Sequence, residues 1–266
     1  MTAAPRRRIL LVDDQKFVGI ALGRLLGGEP DLELHCCHAA ADALATTEQL
    51  VPAVIIQDCV LPGVDGFTLV QQFRRTPATA GTVIIMLSGS DDPALRQRAL
   101  AAGANDYLVK LPPKDVLIAC IRRHLGADRG PEVAPPTPAG NNPKTLDRDI
   151  ITALRDGPPA ANTDLVARLL GQFVHEATSL VAKVQAAVRA DDVALLKLAS
   201  HSLRGASTTI GAQRLAMVSA QIERCADSGN AAIDRALLAA IDTELREVAR
   251  ACAEECGGVL AGCSAV

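Results

Sequence analysis

Residues 9–14 read Ile-Leu-Leu-Val-Asp-Asp, four apolar side chains in a row closing on an acidic pair. Four consecutive apolar residues leave no polar face, so a strand built from them must be covered on both sides, as happens in a parallel sheet layered between helices. Similar runs follow at Leu32 to Cys37, Val54 to Ile56, Val83 to Leu87 and Tyr107 to Val109. The segments between them are of helix length and carry apolar residues at three- and four-residue spacing. Five strand–helix units in series predict an α/β fold over residues 1–125, a doubly wound five-stranded parallel sheet.

The strand ends carry polar residues of a particular kind. The first runs into Asp13-Asp14, the third into Asp58, the fourth ends at Ser88 and the fifth at Lys110. In a parallel sheet the carboxyl ends share one edge, and ligands of such folds bind there. Three carboxylates brought together raise one another's pKa. A hard divalent cation such as Mg²⁺ relieves that conflict, takes oxygen ligands, and keeps waters that a phosphate can replace. One carboxylate is then available to attack phosphorus, with a lysine and a hydroxyl to meet the charge on the transferred group.

Beyond the fifth unit the composition changes. Residues 126–144, GADRGPEVAPPTPAGNNPK, hold five prolines and three glycines and predict a linker. Residues 145–257 are rich in Ala and Leu with helical periodicity, broken at Asp156-Gly157-Pro158-Pro159, Asp191-Asp192, Gly211 and Ser228-Gly229-Asn230. They predict an all-α four-helix bundle with one short leading helix, followed by a frayed tail at 258–266. Within the bundle, Leu196, Ala199, Leu203, Ala206 and Ile210 form a core stripe. His201 lies two residues from Leu203, a rotation of about 200°, and is expected to point away from the core. Arg204 and Gly205 share its face. An exposed neutral imidazole is a nucleophile near neutral pH, Arg204 adds positive charge beside an incoming phosphate, and Gly205 leaves room for a partner to approach.

Composition narrows the classes. The chain has 266 residues, 49% of them hydrophobic, a formal net charge of −3 and only 2% aromatics. A nucleic-acid module would carry a basic face and stacking aromatics. No apolar run reaches the roughly 20 residues of a membrane span, and Asp13-Asp14 cuts short the apolar stretch after Arg6-Arg7-Arg8, so a leader is not expected and the protein reads as cytoplasmic. The eight cysteines form no Cys-x-x-Cys pair and read as reduced thiols. His35, His38, His124 and His175 read as structural or solvated, and Arg168, Lys183 and Lys197 as a solvated face.

The first half resembles the receiver domain of bacterial response regulators along its whole length, on Leu11-Val12-Asp13-Asp14, Asp58-Cys59-Val60-Leu61-Pro62-Gly63-Val64-Asp65-Gly66, Leu87-Ser88-Gly89 and Gly103-Ala104-Asn105-Asp106-Tyr107-Leu108-Val109-Lys110. The resemblance implies that Asp58 is the phosphoacceptor, that Asp14 binds Mg²⁺ directly and Asp13 mainly through water, and that the Val60 carbonyl adds a ligand. It implies that Ser88 and Lys110 contact the phosphoryl oxygens and that Tyr107 is the switch aromatic. Gln57-Asp58 and Pro-Gly-Val-Asp-Gly look like receivers attached to diguanylate cyclases in chemosensory-type pathways, but the cyclase motif is absent from this sequence. Leu111 stands between Lys110 and Pro112, where the family often has Pro directly after the lysine, and Ser88 stands where Thr is commoner. The run His201-Ser202-Leu203-Arg204-Gly205-Ala206-Ser207, with Gly211, resembles the signature of histidine phosphotransfer (HPt) domains. That resemblance implies phosphorylation of His201, with Arg204 and Gly205 at the docking face.

The combined expectation is a relay intermediate rather than an enzyme in the usual sense. Asp58 would accept phosphate from a sensor histidine kinase, and His201 would exchange it with a receiver aspartate, here or on a further receiver-domain protein. Two other readings stay open: the receiver as an allosteric switch with the helical domain as a docking module, and the receiver as a phosphate sink.

Overall fold

A computed structural model describes residues 6–89, 92–110, 112–126, 144–147, 151–152, 163–229, 231 and 233–256, with 163–165 described by backbone alone. The chain divides into two compact units, Met1–Ala139 and Gly140–Val266.

The first unit is a five-stranded parallel sheet. Its strands are β1 (Arg7–Val12), β2 (Leu32–Cys37), β3 (Val54–Asp58), β6 (Val83–Ser88) and β7 (Asp106–Val109), in the order β2-β1-β3-β6-β7. Two short strands, β4 (Val60–Leu61) and β5 (Val64–Asp65), form an antiparallel hairpin after β3. The helices are α1 (Lys16–Leu26), α2 (Ala43–Leu50), α3 (Gly66–Arg75), α4 (Pro93–Ala102) and α5 (Lys114–His124). All five residues of β3 are buried, as expected for a central strand covered on both faces. Leu10, Val12, Ile55, Ile84 and Met86 join one core with Phe67, Val70 and Phe73 of α3, Ala99 of α4 and Ala43 of α2. Ile9, Leu11, Ile56, Ile85 and Leu87 alternate with them and are equally enclosed. Strand alternation sends that second set to the opposite face, on which α1 and α5 pack together.

Arg74, near the end of α3, fixes the approach to β7. Its guanidinium donates to the carbonyl oxygens of Gly103 at 2.8 Å, Ala80 at 3.0 Å and Thr82 at 2.7 Å, and to Asn105 Oδ1 at 2.6 Å. Asn105 Oδ1 also accepts from the Ile84 amide at 2.8 Å. The loop that delivers Tyr107 and Lys110 to the sheet is thereby tied to both α3 and β6.

In the second unit four long helices follow one another: α6 (Thr163–Ala190), α7 (Val193–Thr209), α8 (Gln213–Asp227) and α9 (Arg235–Glu255). Each packs on a neighbour, α6 on α7 and α9, and α8 on α7 and α9. The expected stripe of α7 is its core face, with Leu196, Leu203, Ala206 and Ile210 all at 0% exposure. Asp192 caps α7 by accepting from the Leu195 amide, and Gly211 takes the left-handed φ of +74° at the turn into α8. The linker interior, the Asp156–Pro159 break, most of the leading helix, the tail and Leu111 lie outside the described residues.

Candidate functional site

The sheet order reverses direction between β1 and β3, and such a switch point opens a crevice at the carboxyl ends of the strands. Asp13 and Asp14 follow β1, and Asp58 ends β3. Each of the three offers a carboxylate oxygen within 4.8 Å of the others. Lys110 reaches into this group from the end of β7. Its Nζ lies 2.9 Å from Asp13 Oδ2 and 2.8 Å from Asp58 Oδ2, with the lysine and Asp13 side chains almost wholly enclosed. Ser88, also buried, ends β6, and its carbonyl accepts from the Lys110 amide at 2.7 Å. The Val60 amide donates to Asp58 Oδ1 at 3.3 Å. Asp13, Asp14, Asp58, Val60, Ser88 and Lys110 are thus brought together at one edge.

Charge is unbalanced in this pocket. Burial raises the Asp13 pKa, Lys110 pulls it back, and Asp58 and Asp14 push it further, to about 7. Burial disfavours the Lys110 charge, but Asp13 and Asp58 outweigh it and hold the ammonium above its ordinary pKa. One ammonium against three carboxylates leaves the pocket short of positive charge. An all-oxygen donor set of this kind fits a hard divalent cation.

The peptide after Asp58 is held tightly. The Gly66 amide, at the start of α3, donates to Cys59 O at 3.2 Å, and Gln57 Nε2 donates to Gly66 O at 2.6 Å. A Cβ at Gly66 would stand 2.5 Å from Cys59 O and 2.6 Å from Asp58 O, so no side chain fits there. Cys59 is 2% exposed, and its thiol pKa is pushed up to about 12, first by burial and then by Asp58. Tyr107 is wholly buried, with the Arg96 guanidinium 5.2 Å from its ring centroid.

Of the histidines read as structural, His38 Nδ1 meets the Asp13 carbonyl at 2.9 Å, and His35 lies 3.4 Å from Glu33. His124 belongs to a second mixed cluster with Asp106 and Cys120. There the thiol, the ring and the Arg123 guanidinium all turn to Asp106 Oδ2, so a cation already occupies that carboxylate. The group braces β7 against α5.

In the bundle, His201 is not as outward as its rotation from Leu203 implied. Its side chain is 19% exposed and sits in the groove between α7 and α8. The cause is Glu223 of α8, whose Oε1 lies 2.6 Å from His201 Nδ1 and whose Oε2 lies 2.6 Å from Arg204 Nε. Arg204 NH2 also stands 3.2 Å from Nδ1. The shorter contact is to a carboxylate, which favours the tautomer that donates from Nδ1 to Glu223 and leaves the lone pair on Nε2. Burial raises the Glu223 pKa, but His201 and Arg204 outweigh it and hold the carboxyl below its ordinary value. A Cβ at Gly205 would meet nothing within 4 Å, so the helix is open there. Lys197 pairs with Asp227 at 2.6 Å.

Sequence reasoning missed Glu223, Arg74, the bond from Gln57 to the Gly66 carbonyl and the close approach at Gly66. The last had a signal, since a glycine opening a helix directly after a turn invites the question of what it touches.

This sheet order with an acidic pocket at its carboxyl edge defines a receiver-type module, and a helical bundle follows it on the chain. Comparison with known proteins agrees: residues 9–122 match the response regulator receiver domain and residues 168–251 the Hpt domain. Among curated relatives, the transcriptional regulatory protein UhpA of Salmonella typhimurium is 32% identical over 166 residues, covering 60% of this chain and 81% of that protein. The phosphate regulon transcriptional regulatory protein PhoB of Rhizobium meliloti is 32% identical over 118 residues, covering 44% of this chain and 52% of that protein. Response regulator PleD of Caulobacter vibrioides is 33% identical over 121 residues, covering 44% and 26%. The chain thus spans about half of PhoB and a quarter of PleD. It belongs to the response regulators, with an Hpt domain after its receiver. Receiver and Hpt domains are the signalling modules of two-component phosphorelays. No described helix is long and apolar enough to cross a membrane.

Proposed function

We propose that the chain is a cytoplasmic phosphorelay intermediate that takes a phosphoryl group on Asp58 and exchanges phosphate through His201. The observation that carries this reading is the convergence of Asp13, Asp14 and Asp58 at the carboxyl edge of the sheet, with the Lys110 ammonium against Asp13 and Asp58. The domains run over residues 1–125 and 145–257, with 126–144 as the linker.

Asp58 supplies the nucleophilic oxygen. It attacks the phosphorus of a phosphohistidine on a sensor kinase; the O–P bond forms, the N–P bond breaks, and the donor imidazole leaves with its electron pair. Lys110 and the Ser88 hydroxyl meet the charge on the phosphoryl oxygens. Asp13, Asp14, Asp58 and the Val60 carbonyl would hold Mg²⁺, which when bound supplies charge neutralisation and orients the phosphoryl oxygens. Tyr107 reports the state of Ser88 as the switch aromatic.

For the second exchange, His201 Nε2 attacks the phosphorus of an aspartyl phosphate and the carboxylate leaves. Glu223 keeps the proton on Nδ1 and offsets the positive charge that the phosphorylated ring acquires. Arg204 adds positive charge beside the phosphate, and Gly205 admits the partner receiver. Neither step turns over a conventional substrate, so the chain acts as a carrier rather than an enzyme. Its partners are a sensor histidine kinase and a receiver, its own or another protein's.

The test is a time course of labelling with a phosphorylated kinase, separating base-labile from acid-labile phosphate. Label should enter the base-labile pool first and vanish from it in D58N, while H201Q should lack the acid-labile pool. Equal base-labile labelling of D58N would overturn the assignment of Asp58.

A further inference from the structure

We infer that Gln15 is a positioning residue for phosphoryl transfer at Asp58, acting through Lys110; the inference rests on the reading of Asp58 as acceptor.

Gln15 directly precedes α1, at the position where a helix ordinarily takes Ser, Thr, Asp or Asn to cap its free amides. Its side chain makes no capping hydrogen bond. It is turned instead into the acidic pocket and is 4% exposed. There Gln15 Oε1 accepts from Lys110 Nζ at 3.3 Å. The Gln15 amide donates to Asp13 Oδ1 at 2.9 Å, which fixes the peptide carrying this side chain.

The ammonium of Lys110 has three N–H donors, and three acceptors surround it: Asp13 Oδ2, Asp58 Oδ2 and Gln15 Oε1. Two of these change role during transfer. When Asp58 forms its bond to phosphorus, negative charge passes to the phosphoryl oxygens, and the lysine must follow it. Asp13 is wanted by the cation. Gln15 alone is neutral and takes no part in bond making. It anchors one N–H while the other two change partners, and a carbonyl does so without cancelling the charge that the phosphoryl group needs. A lysine held this way arrives pre-oriented, so less of its rotamer freedom is lost at each transfer.

The test uses the intact chain with acetyl phosphate and Mg²⁺, a small donor that bypasses kinase docking, and follows acyl phosphate formation. Gln15→Met keeps the bulk and loses the acceptor; it should load about tenfold more slowly, the scale of one hydrogen bond to a charged group, with the Mg²⁺ concentration for half-maximal rate unchanged. Gln15→Glu restores an oxygen acceptor but adds the negative charge that the neutral carbonyl avoids, and should not recover the rate. In a Lys110→Ala background Gln15→Met should cost nothing further. Wild-type loading by Gln15→Met, or an equal loss with and without Lys110, would overturn the inference. Should the Met variant not fold, Gln15→Ala gives the same comparison. Loading of D58N in the same assay would strike the reading of Asp58 itself, a separate failure.

Discussion

Glu223 and His201, 22 positions apart in sequence, meet across α7 and α8 with 2.6 Å between a carboxylate oxygen and the ring Nδ1. That contact selects which ring nitrogen keeps its proton. Replacing Glu223 with Ala should slow phosphoryl acceptance by His201 about tenfold, since an oriented partner of a reacting imidazole contributes on that scale. Long-range ¹⁵N–¹H spectra of the imidazole should show the protonated nitrogen moving from Nδ1 to a mixture. Unchanged spectra and unchanged transfer would remove Glu223 from the mechanism.

The same carboxyl gives a pH signature. Its pKa is held below the ordinary value in the folded bundle. A depressed folded pKa contributes stability that is present above the unfolded value and is lost as pH falls through the folded one. Urea unfolding of the native chain and of Glu223→Gln should therefore differ above about pH 5 and converge towards pH 3. A difference constant across that range would contradict the assigned ionisation.

Two glycines should respond in opposite ways to alanine. At Gly66 the added methyl would meet backbone oxygens at 2.5 and 2.6 Å, so Gly66→Ala should shift the peptide after Asp58, destabilise the receiver and abolish loading. At Gly205 a methyl meets nothing, so Gly205→Ala should stabilise the bundle by about 1 kcal/mol through helix propensity, yet slow transfer by narrowing the approach to His201. Thermal melts and transfer rates on the two variants check both halves.

Magnesium should stabilise the receiver by mass action. At about a hundredfold excess over its dissociation constant, Mg²⁺ should add about 2.7 kcal/mol to unfolding free energy, and chelation should remove it. Asp14→Ala should shift the Mg²⁺ dependence to higher concentration. A stability indifferent to Mg²⁺ would mean that the acidic pocket does not take the ion.

The sheet was readable because its strands are uninterrupted apolar runs. The expected strand Val54 to Ile56 extends in the fold to Asp58, and Tyr107 to Val109 begins one residue earlier, at Asp106. The pocket was readable because topology alone sends the ends of parallel strands to one edge. What escaped the sequence depended on contacts between elements. Glu223 is one of two carboxylates on an amphipathic helix, and nothing local distinguishes it; only the pairing of α7 with α8 brings it to His201. The same pairing draws the ring partly into a groove, where helix rotation alone had pointed it to solvent. Arg74 looked like any basic residue ending a helix, although it gathers four oxygens from two loops.

Cys59 follows Asp58 directly, enclosed and with its thiol pushed up to about 12. A sulfur that keeps its proton is a poor target for peroxide and for alkylating reagents, which attack the thiolate. Oxidative stress thus has little purchase on the reacting carboxylate's neighbour.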